Sequence, residues 1–372
     1  MSKLRVLDLS RVLAGPYCTM LLADLGADVV KVERPGEGDE TRTWGPPYLG
    51  GESAYFLSVN RGKRSVALDL ARPEAQEALA RLAREAAVVI ENFRPGVAER
   101  LGAGYERLAR ENPELVYCSI TGYGDERPGY DFMVQADSGL MAVTGEVDGE
   151  PMKVGVAVVD VLAGYAAAAA ILAALLDGSG RRIEISLTDV ARSALVNLAQ
   201  NALVTGKEPR RRGNAHASIV PYQTFAAADA TIAVGGANDG LYRRLCAALE
   251  RPDLAEDPRF ATNSSRVEQR EELVAELGLV FAERSADEWV ERLEAAGVPV
   301  AKVRGVLEAL AGNTFSVDHP AVGRLPLVPS PLGAATRPPP LLGEHTREVL
   351  AEAGYADDEI DALTGGEASA KQ

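Results

Sequence analysis

Cysteine and histidine are scarce, with three of each among 372 residues. Cys18, Cys118 and Cys246 lie far apart and form no CxxC pair, which argues against a disulfide framework or a structural zinc site. His216, His319 and His345 are equally scattered. With no HxH or HExxH spacing, no metal site is expected. Basic charge is also short, at 39 Lys and Arg against 54 Asp and Glu, for a net charge of -15. That balance argues against nucleic acid or an anionic membrane as the main partner. No run of roughly eighteen uninterrupted apolar residues occurs. The nearest, KVGVAVVDVLAGYAAAAAILAALL, is broken by Asp160 and makes a poor membrane span. The N-terminus MSKLRVLDLS lacks the apolar core of a signal peptide, and the C-terminal EASAKQ carries no lipidation or retention signal. A cytoplasmic location is the expectation. The first turn, SRVLAGP, has no GxGxxG, so a nicotinamide dinucleotide is weakly supported.

What is present is the composition of a soluble globular protein, 47% apolar and 25% charged. The length points to two domains. Strand-like and helix-like segments alternate early. Residues 4–10, 27–34, 65–70, 86–93 and 114–120 read as extended, and 14–26 and 73–85 as helical. Short connections between such segments predict right-handed βαβ units, hence a Rossmann-like parallel sheet with ligands beyond the carboxyl ends of its strands. After residues 153–176 come another strand (182–186) and a long helix. The basic, proline-interrupted stretch EPRRRGNAHASIVPYQ reads as a linker into a smaller α+β domain. Extended segments are expected there at 231–236 and 298–305, with helices at 239–249, 266–283 and 286–297. A proline-rich return precedes a final helix at 346–353. The expected division is residues 1–207, 208–324 and 325–372, the last returning to the large domain.

Asp160 sits between a valine-rich run (154–159), read as extended, and an alanine-rich helix (161–176). Two readings fit that junction. Aspartate is a favoured N-cap. A carboxylate on the ligand-bearing edge of an open sheet is also a competent nucleophile towards an acyl group with a good leaving group, such as a thioester. The residues alone leave both open. Lys31, Arg34, Arg42, Arg61, Lys63, Arg64, Arg94 and Arg100, around loop-like sequence, permit a similar pair of readings, as solvated surface or as a grip on a phosphate-bearing ligand.

Several motifs then act together. AGPYCTMLLADLGADVVKVERPGEGDETR, NRGKRSVALDL, ENFRPGVAERLG, SITGYG, PGYDFMVQADSG, GVAVVD and LLGEHTREVL resemble the class III CoA-transferase (CaiB/BaiF) family, from about residue 4 to the final helix. The resemblance implies an enzyme that moves CoA from an acyl-CoA to a carboxylic acid. CoA thioesters would be substrates, with no tightly bound cofactor. One aspartate, matched here by Asp160, would become acylated and then carry CoA. The matching motifs also place CoA contacts at Leu13 and Ala14, at Arg34, and along Leu68, Asp69 and Leu70. Further contacts fall at Asn92, Phe93 and Arg94, at Arg100, and near Tyr130 and Asp131. The family forms an interlocked homodimer, and the same is expected here.

The family also contains α-methylacyl-CoA racemases, which need a histidine before the Asp of a GxD motif. Here that motif is Gly129-Tyr130-Asp131. The supporting glutamate falls near Asn238. Tyrosine, with an ordinary pKa near 10, is a poor base at neutral pH, so the transferase branch is expected. Tyr130 reads either as a buried aromatic or as a wall of the acyl pocket, and Gln135 is left unassigned. Formyl-CoA transferases of the family have a lysine near Pro128 and a tetraglycine lid. This chain has neither, with Arg127 as a possible substitute for the lysine, so formate and oxalate are not favoured. His216, in the linker, is read as exposed rather than facing the site.

Overall fold

Six short segments rich in valine and isoleucine pair into one sheet of the computed structural model, which describes residues 4–364. They are β1 (Arg5–Asp8), β2 (Asp28–Glu33), β3 (Lys63–Ala67), β4 (Val88–Glu91), β5 (Val116–Thr121) and β6 (Arg181–Ser186). Their spatial order is β3-β2-β1-β4-β5-β6, and every neighbouring pair is parallel. A parallel sheet is buried on both faces, so successive residues feed two cores. Val6, Val29, Val88 and Ile90 pack on one side, while Leu7, Val30, Val89 and Tyr117 pack on the other. Helix α1 (Ala14–Asp24) covers the first face and α2 (Pro73–Arg84) the second.

Chain order reverses direction between β1 and β4. At such a switch point the loops leaving the two strands separate and open a crevice. The residues following β1 and β4 (9–13 and 92–96) therefore define where a ligand can enter.

The sequence and the structure differ instructively around residue 160. Residues 154–157 form no strand, and helix α4 (Val158–Asp177) begins before Asp160 rather than after it. A run of valines suits a buried strand or a buried helix equally, and periodicity does not separate the two. Helix α4 buries Ala163, Ala167, Ala168, Ile171 and Ala174 in the core it shares with α1. At Gly164 the two backbones come so close that a Cβ would lie 3.0 Å from Ala14 O and 2.9 Å from the Tyr17 ring. Small residues on α4 are what bring Asp160 beside the start of α1. This helix is long and apolar enough to cross a membrane by composition, but 39% of its most apolar window is buried within the protein.

The helix expected after β6 is two helices, α5 (Leu187–Ser193) and α6 (Val196–Thr205), broken where Val196 adopts φ 42°. Hairpins at Tyr48–Ser53 and Phe315–Leu327 have no counterpart in the sequence reading.

The chain divides into two compact units: Met1–Met141, Lys153–Lys207 and Gly312–Gln372 in one, and Ala142–Met152 with Glu208–Ala311 in the other. The return segment thus starts at Gly312 rather than at 325, and residues 142–152 leave the larger unit. The second unit has an antiparallel sheet of Val300–Lys302, Thr231–Gly235 and Tyr222–Ala226, in that order. Its helices close over a core containing Phe225, Tyr242, Phe281 and Trp289. Of the terminal residues read for targeting signals, 1–3 and 367–372 lie outside the described residues.

Candidate active site

The loop after β1 is held from below by buried charge. Lys31 Nζ donates to Ser10 O at 2.8 Å and pairs with Asp39 at 2.9 Å. Asp8 accepts from Ser10 N and from Thr19, and pairs with Lys63 at 2.9 Å. Burial alone would raise the Asp8 carboxyl, but Lys63 and Lys31 hold it far below the ordinary carboxylate range. Asn92, just past β4, grips the same loop: its Oδ1 accepts from Arg11 N at 2.8 Å and its Nδ2 donates to Arg11 O at 2.7 Å. Val12 N donates to Asp39 Oδ1 at 3.3 Å, and Val12 stands at φ 70°. That is a strained conformation for a β-branched residue, persisting because its surroundings over-determine it. The loop is a rigid rim.

Asp160 is the third residue of α4, not its cap; the N-cap position is Ala157, with no side-chain cap bond of its own. The capping carboxylate comes from elsewhere. Asp131, at the start of α3 (Asp131–Asp137), accepts from Val159 N at 2.8 Å and from Asp160 N at 3.3 Å. Gln135 fixes Asp131 by donating to it at 2.5 Å, while its own Oε1 accepts from Val154 N at 2.9 Å. The Asp160 carboxylate is thereby left without a hydrogen bond or ion pair from any described residue. Burial pushes its pKa up to about 7, with the neighbouring Asp131 charge adding to the rise. An ordinary aspartate is ionised at neutral pH without assistance. Partial burial beside a second carboxylate makes Asp160 a group that titrates near neutrality instead.

Two cavities open at the switch point. The smaller, of about 230 Å³, contains Asp160 together with Leu13, Ala14, Asn92, Phe93, Arg94 and Tyr130. The larger, of about 850 Å³, is lined by Arg34, Leu68, Asp69, Leu70 and again Phe93. Most residues carried over from the family motifs therefore gather around two spaces that share lining residues. Tyr130 is 56% exposed and lines the smaller cavity, so it is not a buried aromatic. Arg34 is 68% exposed and pairs with Glu37 at 3.1 Å, an ion pair weak enough to give way to phosphate.

Two of the expected contact residues line neither cavity. Asp131 is buried behind the cavity, spent on capping α4, and cannot be a CoA contact without uncovering that helix end. Arg100 ends an exposed turn (Val97–Arg100) outside both cavities, although the adjacent Leu101 lines the larger one. Arg127, the possible substitute for the family lysine, lies in the smaller cavity tied to Asp125 at 2.9 Å and stacked on Tyr123. In the second unit Asn238 caps a helix by accepting from Leu241 N. His216 is half-buried there, with Nδ1 accepting from Ser218 N.

The sequence reading missed Arg11, Glu40 and Tyr55. Burial pushes the Tyr55 phenol up to about 12, with the charges of Asp160 and Asp131 contributing, so its hydroxyl stays protonated near the site. No local motif marks it, because it comes from the helix Ala54–Val59, remote in the chain. Among the described residues no group of His, Cys, Asp and Glu could hold a metal ion.

The model of CoA-transferase family III matches residues 1–346, and the chain belongs to that family. The succinyl-CoA:glutarate CoA-transferase of Homo sapiens is 41% identical over 95% of this chain and 86% of its own length. The succinate–glutarate CoA-transferase of Agrobacterium fabrum is 42% identical over 95% of each. A CaiB/BaiF family protein from Brucella suis superposes with a TM-score of 0.82 at 41% identity, covering 94% of this chain and 98% of that one. The protein is a CoA-transferase, and CoA thioesters are its substrates.

Proposed function

We propose that the protein moves CoA from an acyl-CoA donor to a free carboxylic acid through covalent intermediates on Asp160. An Asp160 oxygen attacks the thioester carbonyl carbon. The C–S bond breaks, leaving a mixed anhydride and CoA thiolate. The thiolate attacks the aspartyl carbonyl and expels the donor acid, giving an aspartyl-CoA thioester. The acceptor carboxylate attacks that carbonyl and releases thiolate again. Thiolate attack on the acceptor's acyl carbon frees the new thioester and restores Asp160. One thioester is exchanged for another, and no proton is consumed.

The observation that carries this reading is the unpartnered Asp160 carboxylate, poised near neutrality in a cavity shared with the loops after β1 and β4. A cap would be spent on backbone donors, whereas Asp131 does that work. The names of the relatives direct the first trial to succinyl-CoA with glutarate. Incubation with succinyl-CoA and hydroxylamine should give an aspartyl hydroxamate on the Asp160 peptide by mass spectrometry. Asp160→Asn should give none while still binding CoA; normal turnover in that variant would remove the nucleophile assignment.

Racemisation needs a second proton carrier facing the α-carbon, and no histidine lines the Asp160 cavity. The reading is completed by a cytoplasmic homodimer in which the two chains interlock. Supporting it, α6 buries none of its residues, and Leu176, Leu203 and Val204 stand at least 75% exposed, an apolar surface that asks for a cover.

A further inference from the structure

Arg11, Glu40 and Phe93 are the residues common to the walls of both cavities. Arg11 Nη1 pairs with Glu40 Oε1 at 3.0 Å, and its guanidinium lies 5.5 Å from the centre of the Phe93 ring. Each half of the pair stands on rigid ground. The Arg11 main chain is fixed by both ends of the Asn92 amide. Glu40 opens the turn Glu40–Thr43, which is capped by Asp39, itself tied to Lys31. The ion pair is nonetheless 45% and 41% exposed, so it meets whatever passes from one cavity to the other.

We propose that Arg11 and Glu40 form a charge-neutral neck between the nucleotide-end and acyl-end cavities, which passes the uncharged pantetheine arm and stops the CoA diphosphate. The inference rests on the reading that an acyl-CoA spans the two cavities to reach Asp160. An arginine already answered by a carboxylate offers no net cation, and Glu40 repels phosphate, so the diphosphate halts on the Arg34 side. The neutral arm crosses beside the Phe93 ring. The neck thereby sets how deep the molecule slides and where its thioester carbonyl stops. Arg11 and Glu40 are positioning residues in this scheme, and they discriminate on charge.

The test compares CoA with pantetheine, which has the same arm and no phosphates. Binding of each is measured calorimetrically to the wild type, Glu40→Gln, Arg11→Met and the double variant. Glu40→Gln frees a cation at the neck and should tighten CoA by roughly two- to fivefold, the scale of a half-exposed charge pair. Arg11→Met leaves Glu40 alone and should weaken CoA by a similar factor. Neither should alter pantetheine, and the double variant should return CoA close to the wild-type value. Equal changes for CoA and pantetheine, or no change for either, would overturn the neck. Hydroxamate trapping from succinyl-CoA reports separately on Asp160. Its absence in the wild type would remove the covalent mechanism without touching the binding comparison.

Discussion

Asp131 both builds and burdens Asp160. One of its oxygens accepts the Asp160 backbone N–H at 3.3 Å, holding the start of α4 in place, while its charge disfavours ionisation of the Asp160 side chain. Capping by a residue from another helix frees the helix's own acid to face the cavity. A carboxylate with a raised pKa is also a stronger base, and hence a better nucleophile towards a carbonyl, than an ordinary one.

The pH dependence follows from that pairing. Attack requires the ionised carboxylate, so kcat/KM should fall as pH drops through about 7. Asp131→Asn keeps an oxygen for the backbone donors and removes the charge. The acid limb should move to lower pH in that variant. A pH–rate profile of both proteins with succinyl-CoA checks this, and an unmoved limb would show that Asp131 does not set the Asp160 titration.

The same residue should cost stability. The Asp160 pKa is raised on folding from 3.8 to about 7, so between those values the folded state binds more protons than the unfolded one. Stability therefore declines as pH rises through that window, and the loss is complete above pH 7. Asp160→Asn escapes it. At pH 8 the variant should be more stable than the wild type by on the order of 2 to 4 kcal/mol, the difference vanishing near pH 4. Urea unfolding at the two pH values reads it. A variant no more stable at pH 8 would mean that the carboxylate is better solvated than its burial implies.

The parallel sheet was legible because β1, β2, β4 and β5 are short apolar runs separated by a helix-length pattern or a glycine turn, and the site followed from motifs that the sheet order then gathers. The segment at 154–159 was misread because a strand and a helix start look alike when every residue is apolar. Asp131 was misplaced because a motif records that a residue belongs near the ligand, not whether its oxygens face the cavity or a backbone. The Arg11–Glu40 pair needed the fold, since its partners sit on different loops and carry no spacing signature. Val12 reads as an ordinary apolar residue; only its dihedral shows that it bends the rim.

Helix contact should transmit to chemistry at Gly164. A Cβ there would meet Ala14 O and the Tyr17 ring, so Gly164→Ala must push α4 away from α1. Overpacking of this kind costs about 1 to 3 kcal/mol. Because Asp160 lies one turn away on the same helix, the variant should also lose turnover with CoA affinity largely kept. Melting temperature and kcat measured together distinguish this from simple unfolding. Full activity at reduced stability would show that the helix gives way without moving Asp160.

The buried charges under the rim provide a last test. Lys63 Nζ donates to Asp8, to Pro16 O and to Asn60 Oδ1, each at 2.9 Å, with both members of the ion pair fully buried. Removing one partner strands the other in a poorly solvating interior. Lys63→Met should therefore destabilise by about 3 to 5 kcal/mol. Asp8→Asn added to it removes the stranded charge while keeping an acceptor for Ser10, and Thr19 can still donate to Gly15 O or Pro16 O, so the double variant should recover part of the loss. If the second substitution makes matters worse, Lys31 rather than Lys63 is the chief counter-charge to Asp8. The rim would then depend on the Lys31 contact with Ser10 O, and Lys31→Met should loosen CoA binding more than Lys63→Met does.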